Sequence, residues 1–267
     1  MNILILGDIV GPSGRKAVIS KLPDLVKEKK IDFIVVNGEN AADPGIGITK
    51  KNTEEFFDIG VDVITTGNHI WDQKETMNFI TSEKRLLRPE NLTTGSPGLG
   101  MGIFKSKNNK KVAVINLMGN VFMKKCEDVF QAAKKFIDKI KLKKDADFIV
   151  VDLHGEITSE KMAMGYLFDG KATIVVGTHT HVPTADHRIM EKGTAYQTDI
   201  GMCGDYNSVI GMNRDNSIKK FFKDPSATGH YPALGEATIS GLMVLADYKT
   251  GLAKKIEPII IGGALRK

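Results

Sequence analysis

Short apolar runs of strand length alternate with amphipathic stretches along most of this chain. The runs are rich in Val and Ile, as is typical of strands buried on both faces, and they lie at 2–6, 32–36, 61–66, 111–117, 147–153, 172–176 and 194–198. A longer run at 236–248 predicts either one long strand or a hairpin. The spacing of apolar side chains predicts helices at 15–29, 49–59, 127–140 and 159–168, the last with Thr158 or Ser159 as its N-cap.

This order of elements predicts an α/β fold. Strands that alternate with helices form a largely parallel sheet with the helices packed outside it. The late strands follow one another without helices, which indicates an antiparallel portion and favours a sandwich of two sheets flanked by helices. No internal repeat or linker interrupts the sequence, so we interpret residues 1–267 as a single domain.

The composition is that of an ordinary globular protein, with 42% hydrophobic and 26% charged residues. Cys126 and Cys203 are the two cysteines and stand far apart, so neither a disulfide framework nor a thiolate zinc site is indicated. The first apolar run lacks a basic leader, and no stretch reaches the roughly 18 apolar residues of a membrane helix. We therefore expect a soluble protein of the reducing cytoplasm that does not enter a membrane.

The formal net charge is +5. Many of the lysines lie at 27–30, 105–111 and 139–145, which favours solvated helix ends and loops over a nucleic-acid groove. A positive field would still attract anions such as phosphate esters.

Side chains that bind metals follow the predicted strands. In open α/β sheets, ligands bind beyond the carboxyl ends of the strands. Five of the runs end in such residues, namely Asp8, then Glu39 and Asn40, then Asn68 and His69, then His154, and then His179 and His181. Each of them alone could cap a helix or shape a turn. Together they include four of the six histidines in the protein, which indicates a shared site.

The ligand set is too large for one metal ion. Carboxylate and amide oxygens mixed with imidazoles suit iron, manganese or zinc rather than magnesium or calcium. A carboxylate can bridge two ions about 3.5–4 Å apart, a spacing that polarises a phosphoryl group and activates a bridging hydroxide. The residues therefore predict two metals acting on a phosphate ester. His179 and His181 would reach the same pair of metals only around a tight turn.

The order of these motifs resembles the calcineurin-like metallophosphoesterase superfamily. That superfamily reads Asp-x-His, Gly-Asp, Gly-Asn-His, a lone His and Gly-His-x-His at successive strand ends. Here Val10 replaces the first His, Glu39 replaces the bridging Asp, and Thr178 interrupts the last motif. These departures are similar to a narrower branch, the YmdB-like bacterial metallophosphoesterases with 2′,3′-cyclic-nucleotide phosphodiesterase activity. Strings that resemble this branch run the length of the chain: GDIVGPSGR, NGENAA, GNHIWD, RPEN, EITSEKMAMGY, VVGTHTHVPTAD, GTAYQTDIGMCG and SVIGM.

The resemblance implies the calcineurin-like metallophosphoesterase fold, a two-sheet β-sandwich flanked by helices, and a two-metal phosphodiesterase acting on a cyclic nucleotide. It assigns the first metal to Asp8, Glu39, Asn40 and His181 and the second to Glu39, Asn68, His154 and His179, with Glu39 bridging. Asn40 would compensate for the His that is absent at Val10, and His69 would be the proton donor. Iron is the metal most expected, with manganese as the alternative.

Other interpretations stay open at this stage. The site could serve a regulatory metal-binding protein or an RNA-processing phosphodiesterase with RNA as its partner, and a homo-oligomer is compatible with the sequence. Arg88 and the loop 201–212 are candidates for substrate contact, or for an ion pair and a turn. Asp72 and Trp71 could orient His69 from behind the site, or Trp71 could pack at a helix start.

Overall fold

The computed structural model describes residues 1–265 and contains, within them, twelve strands and six helices. The strands are β1 (Asn2–Val10), β2 (Phe33–Asn40), β3 (Val63–Thr65), β4 (Met101–Lys105), β5 (Lys111–Met118), β6 (Phe148–His154), β7 (Ile174–Thr178), β8 (Arg188–Ile189), β9 (Ala195–Gln197), β10 (Met202–Cys203), β11 (Ile239–Ala246) and β12 (Ala253–Ile261). The helices are α1 (Gly11–Lys29), α2 (Lys50–Asp58), α3 (Thr76–Phe79), α4 (Val129–Lys139), α5 (Thr158–Phe168) and α6 (Arg214–Phe221).

The strands form two six-stranded sheets. The first has the order β12-β11-β1-β2-β3, with β10 pairing alongside β1, and the second has the order β4-β5-β6-β7-β9-β8. Strands β1, β2 and β3 are parallel, as are β5, β6, β7 and β9. Antiparallel strands occupy the edges, where β11 and β12 form the hairpin of the late strands. The expected α/β architecture of two sheets flanked by helices is confirmed.

Alternate residues along each central strand point into different cores, because successive side chains of a strand face opposite sides of the sheet. Ile3 and Ile5 of β1 lie in the core between the two sheets, together with Val150 of β6. Leu4 and Leu6 lie in the outer core beneath α1 and α2. A third core joins the outer face of the second sheet to α4 and α5. Both faces of these strands are therefore buried, which explains their unbroken apolar runs.

The predicted strands and helices are all present, with bounds that differ by a few residues. The run at 236–248 contributes one strand, β11, whose hairpin partner β12 was not predicted. Also missed were β4, β8, β10, α3 and α6, which are short or lie at sheet edges where one face meets solvent. Edge strands such as β12 carry exposed lysines, so their sequence lacks the apolar run that marked the central strands.

Two helix starts differ from the prediction. The first helix, α1, begins at Gly11 rather than at residue 15, directly after β1 and with Pro12 in its first turn. Neither Thr158 nor Ser159 caps α5, because the N-cap is Ile157, which provides no side-chain hydrogen bond. Within residues 1–265, no helix combines the length and apolar character that crossing a membrane would need.

Candidate metal centre

The predicted ligands converge where the parallel strands of both sheets end. Glu39 and Asn40 are the last two residues of β2, and His154 is the last residue of β6. Asn68 follows β3 by three residues. Asp8 lies within β1, where the pairing with β2 shifts register on both sides of it. The two sheets meet face to face, so these strand ends from different sheets deliver side chains to one site.

A tight turn directly after β7 carries the last two predicted ligands. His179 has a backbone φ of 100° and His181 a φ of 66°, both in the region that residues with a Cβ rarely adopt. The backbone N–H of His179 donates to Asp8 Oδ2 at 3.0 Å, which ties the turn to β1. The two imidazoles therefore face the same site, as the expected turn required.

One group of ligand atoms gathers around His154. Its Nε2 lies 3.0 Å from Glu39 Oε1, 3.0 Å from Asn68 Oδ1 and 3.0 Å from His179 Nδ1. Four side chains from three different strand ends and one turn thus place their ligand atoms around a common point. These are the four residues assigned to the second metal by resemblance.

A second group gathers around Asp8 and shares Glu39 with the first. Ligand atoms of Asp8, Glu39 and His181 lie within 4.8 Å of one another, as do those of Glu39, His154 and His179. Asn40 Nδ2 lies 3.2 Å from His181 Nε2 and 3.2 Å from Glu39 Oε1. The other ring nitrogen of His181 is 2.8 Å from the Ile210 carbonyl oxygen, to which it donates, so that Nε2 faces the group.

Two buried oxygens in this group fit a bound cation. Asp8 Oδ1 and Asn40 Oδ1 are buried and have no hydrogen-bond partner among the described residues. Buried polar atoms are almost always paired, because an unpaired one costs its full desolvation energy. A pair of metal ions would satisfy both oxygens, and the carboxylate, amide and imidazole donors suit the transition metals expected from the sequence.

The charges at the site support ionised Glu39 and a neutral His179. Burial opposes ionisation of Glu39, but the positive charge of His154 and its hydrogen bond outweigh burial and lower the pKa of Glu39. Burial would likewise lower the pKa of His154, but the charge of Glu39, their hydrogen bond and the charge of Asp8 raise it. Burial and the charge of His154 lower the pKa of His179 to about 3, so its ring keeps a free lone pair.

His69 lies at the rim of the site and does not share the buried cluster. Its ring Nδ1 is 2.5 Å from Asp72 Oδ2, and Asp72 Oδ1 is 3.5 Å from Lys124 Nζ. Lys124 also donates to the backbone oxygen of Asn68 at 2.7 Å. Asp72 therefore holds the His69 ring through Nδ1, as one interpretation of the sequence predicted.

A cavity of about 270 Å³ opens over the ligands. Its lining consists of Glu39, Asn40, Ile46, His69, Glu156, His179, Thr180, His181, Ile210 and Met212. The apolar part of the lining consists of Ile46, Ile210 and Met212. Since Ile210 and Met212 belong to the loop 201–212, that loop reaches the cavity. Glu156 was missed from the sequence although it follows the β6 exit closely. Its Oε2 lies 3.2 Å from His179 Nε2.

Several other residues singled out in the sequence, including the substrate-contact candidate Arg88, lie outside the cavity lining. The Arg88 guanidinium donates to the carbonyl oxygens of Pro89 at 2.8 Å and Pro97 at 3.1 Å, and it does not line the cavity. Trp71 packs against the outer core of the first sheet. Cys203 is buried, and burial raises the pKa of its thiol to about 12. Val10 is also buried and packs beneath the loop, where a Cβ added at Gly211 would meet its Cγ1 at 2.7 Å.

The chain is similar in sequence to known proteins. The sequence profile of the YmdB-like protein family matches residues 4–259. A Bacillus subtilis (strain 168) protein named 2′,3′-cyclic-nucleotide 2′-phosphodiesterase is 45% identical over 261 residues, which cover 98% of this chain and 97% of that protein.

Two solved structures are similar over nearly their whole length. A protein from Mycoplasma pneumoniae, described as a novel phosphatase, has 37% sequence identity and a TM-score of 0.89, covering 98% of this chain and 93% of that one. A hypothetical protein from Thermus thermophilus has 34% identity and a TM-score of 0.88, covering 98% of this chain and 99% of that one. The calcineurin-like metallophosphoesterase fold expected from the sequence is confirmed.

Proposed function

The chain belongs to the YmdB-like protein family, and from that premise we propose that it is a metal-dependent phosphodiesterase that hydrolyses 2′,3′-cyclic nucleotides. The chemistry named for the Bacillus subtilis relative, 45% identical over nearly the full length, supports this substrate class. The proposed product is the 3′-nucleotide, formed by breaking the bond from phosphorus to the ribose 2′ oxygen.

The observation that carries the proposal is the position of Glu39 between two ligand groups. One group consists of Asp8, Glu39, Asn40 and His181, and the other consists of Glu39, Asn68, His154 and His179. Glu39 is 1% exposed, and although burial opposes ionisation, the charge and hydrogen bond of His154 lower its pKa, so a buried carboxylate would be shared by the two cations. Iron is the proposed metal and manganese the alternative, since both accept mixed oxygen and nitrogen ligands. The bound pair supplies charge for the phosphoryl oxygens and a hydroxide at neutral pH.

His69 is the proposed proton donor to the leaving ribose oxygen. An alkoxide is a poor leaving group. A positioned acid that protonates it raises the rate of bond cleavage by about 10²–10⁴-fold. Asp72 holds the ring through Nδ1, and Lys124 Nζ lies 3.5 Å from the other oxygen of Asp72. His69 also lines the cavity, within reach of a substrate bound there.

The apolar part of the cavity offers a place for the nucleobase. Ile46, Ile210 and Met212 line the cavity beside the ligand groups. Ile210 is additionally fixed through its carbonyl oxygen, which accepts from His181. A cyclic phosphate held over the metals would thus leave its base against aliphatic side chains, a contact that favours purines and pyrimidines alike.

The test pairs metal analysis of anaerobically purified protein with a phosphodiesterase panel. The panel contains 2′,3′-cyclic AMP, 3′,5′-cyclic AMP, bis(p-nitrophenyl) phosphate and a long RNA. We expect two metals per chain and preferred turnover of the 2′,3′-cyclic nucleotide. Two bound metals with no turnover of any diester would instead support the regulatory role, and preferred cleavage of the RNA would support RNA processing.

The variant Glu39→Gln tests the proposed bridging role of Glu39. It keeps the size of the side chain but removes the charge that bridges the groups, so we expect loss of at least one metal and of turnover. Glu54→Gln is the control, because Glu54 lies exposed on α2 with its carboxylate 3.7 Å from Lys50 Nζ. A Glu39→Gln protein that keeps two metals and full activity would contradict the bridging role.

A further inference from the structure

The hydroxyl of Thr178 lies between a metal-ligand histidine and a buried carboxylate. Thr178 is paired with His154 across β7 and β6, and Asp152 precedes His154 by two residues, so the three side chains share one face of the sheet. Thr178 Oγ1 is 2.9 Å from His154 Nδ1 and 2.8 Å from Asp152 Oδ1. All three residues are fully buried.

Counting protons fixes the direction of these hydrogen bonds. A neutral imidazole that binds a metal through Nε2 carries its proton on Nδ1 and must donate it. Thr178 is the acceptor at 2.9 Å, whereas Asp8 Oδ1 is 3.6 Å from the same nitrogen. The single proton of the Thr178 hydroxyl then needs an acceptor of its own. Asp152 Oδ1 provides it, because the remaining neighbour, Asn37 Nδ2 at 3.3 Å, is itself a donor.

We propose that Thr178 and Asp152 are positioning residues that hold His154 in its Nδ1–H form, so that the Nε2 lone pair is directed at the second metal. This rests on the proposed function only in requiring that the site binds metal. Groups behind a ligating histidine fix its tautomer and orientation, and their loss typically costs about 10–100-fold in metal affinity.

The carboxylate that completes this relay is itself held by the opposite sheet. Asp152 Oδ2 accepts from Thr65 of β3 at 2.6 Å and from Asn37 of β2 at 3.1 Å. Residues from both sheets therefore fix the carboxylate that accepts from Thr178, and through Thr178 they fix the histidine between them.

The proposal gives a role to a departure seen in the sequence. Thr178 is the residue that interrupts the last motif of the superfamily, and nothing in the proposed catalytic steps uses it. It is buried behind His154 and does not line the cavity, so contact with substrate does not account for it. The role left for its hydroxyl is to hold the His154 ring in position.

The first test reads the tautomer in wild-type protein loaded with Zn²⁺ alone. Nitrogen-15 NMR of labelled histidines should show His154 with a proton on Nδ1 and the metal on Nε2. A proton on Nε2, or metal bound through Nδ1, would overturn the proposal whatever the variants do. Wild-type protein that binds two Zn²⁺ with this tautomer but hydrolyses no diester would support the relay and contradict the proposed function. A chain that binds no metal would overturn both.

The second test titrates variants with Zn²⁺ against a chelating indicator. Thr178→Val keeps the shape but removes the hydroxyl, and we expect one of the two Zn²⁺ sites to weaken by about 10–100-fold. Thr178→Ser should restore the affinity. The control is Thr173→Val, which replaces another buried threonine beside β7 whose hydroxyl bonds to the Gly251 carbonyl oxygen at 2.6 Å. Equal Zn²⁺ affinity in Thr178→Val and wild type would overturn the proposal. Should Thr178→Val fail to fold, the NMR experiment on the wild-type protein tests the proposal by itself.

Discussion

Lys161 Nζ lies 2.8 Å from Asp199 Oδ2, and each of the two side chains is 1% exposed. The same Asp199 carboxylate accepts from the backbone N–H of Thr180 at 3.1 Å and from its hydroxyl at 2.8 Å. Its other oxygen accepts from the N–H of Gly201 at 2.8 Å, and the Gly201 carbonyl accepts from the N–H of Asp8 at 3.2 Å. Since Thr180 lies between His179 and His181, the Lys161–Asp199 pair fixes both this turn and the segment of β1 that carries Asp8.

Lys161→Met should destabilise the protein by about 3–5 kcal/mol, because removing one partner of a buried pair leaves an uncompensated charge. The expected loss of stability lies near the lower end of that range, because Thr180 and Gly201 would still donate hydrogen bonds to the Asp199 carboxylate. Urea denaturation with a two-state fit measures it. Lys134→Met on the exposed side of α4 is the control and should change stability little. A Lys161→Met protein as stable as wild type would show that the pair contributes nothing.

Gly67→Ala should disturb the metal centre more than the fold. A Cβ at Gly67 would lie 2.3 Å from His154 Nε2 and 2.3 Å from Glu39 Oε2, so both ligand atoms would have to move. We expect loss of metal and of turnover, with a loss of stability of about 1–3 kcal/mol for overpacking. Metal analysis and thermal unfolding separate the two effects. Gly229→Ala, where an added Cβ meets nothing within 4 Å, is the control and should retain metal.

His69→Ala should keep the bound metal but slow reactions according to their leaving group. Cleavage of a 2′,3′-cyclic nucleotide expels an alkoxide that needs a proton, so kcat/KM should fall about 10²–10⁴-fold. Bis(p-nitrophenyl) phosphate expels p-nitrophenolate, which leaves without a proton, so its kcat/KM should fall far less. Asp72→Asn, which keeps the ring but weakens its anchor at Nδ1, should show an intermediate effect. An equal loss on both substrates would count against the acid role.

Asp62→Asn should stabilise the protein at high pH and not at low pH. Burial raises the pKa of Asp62 from 3.8 to about 6, so between these values the folded chain binds more protons than the unfolded one. The contribution of Asp62 to stability therefore falls as pH rises from about 4 to 6. The amide oxygen of Asn can still accept from the Ile34 N–H, a bond of 2.8 Å in the wild type. At pH 8 we expect a gain of about 1–2 kcal/mol, allowing for partial solvent screening.

The measurement is urea denaturation of both proteins at pH 4, 6 and 8. Wild type and Asp62→Asn should differ least at pH 4, where the carboxyl is protonated in the folded chain. A constant difference at all three values would mean that Asp62 does not titrate on folding.

The sequence by itself determined the central strands and the side chains at their ends. Apolar runs such as 32–36 are local signals of strands buried on both faces, and parallel strands necessarily end at the same edge of a sheet. The convergence of Asp8 and Glu39 therefore follows from two parallel strands of one sheet, whereas His154 joins them because the second sheet packs against the first. The turn that carries His179 and His181 was also expected from the need of both rings to reach one place.

Only the tertiary structure decided which residues stand behind the ligands. Lys161 has the sequence context of an exposed helix residue, and it is buried because Asp199, 38 positions later, lies beside it. Thr178 looked like an interruption of a motif, and its role follows from Asp152 on the neighbouring strand. These pairings join residues distant in the chain, and local periodicity carries no information about which distant polar groups meet. Hydrogen bonds across packed layers settle that question, and they also set the orientation of the metal ligands.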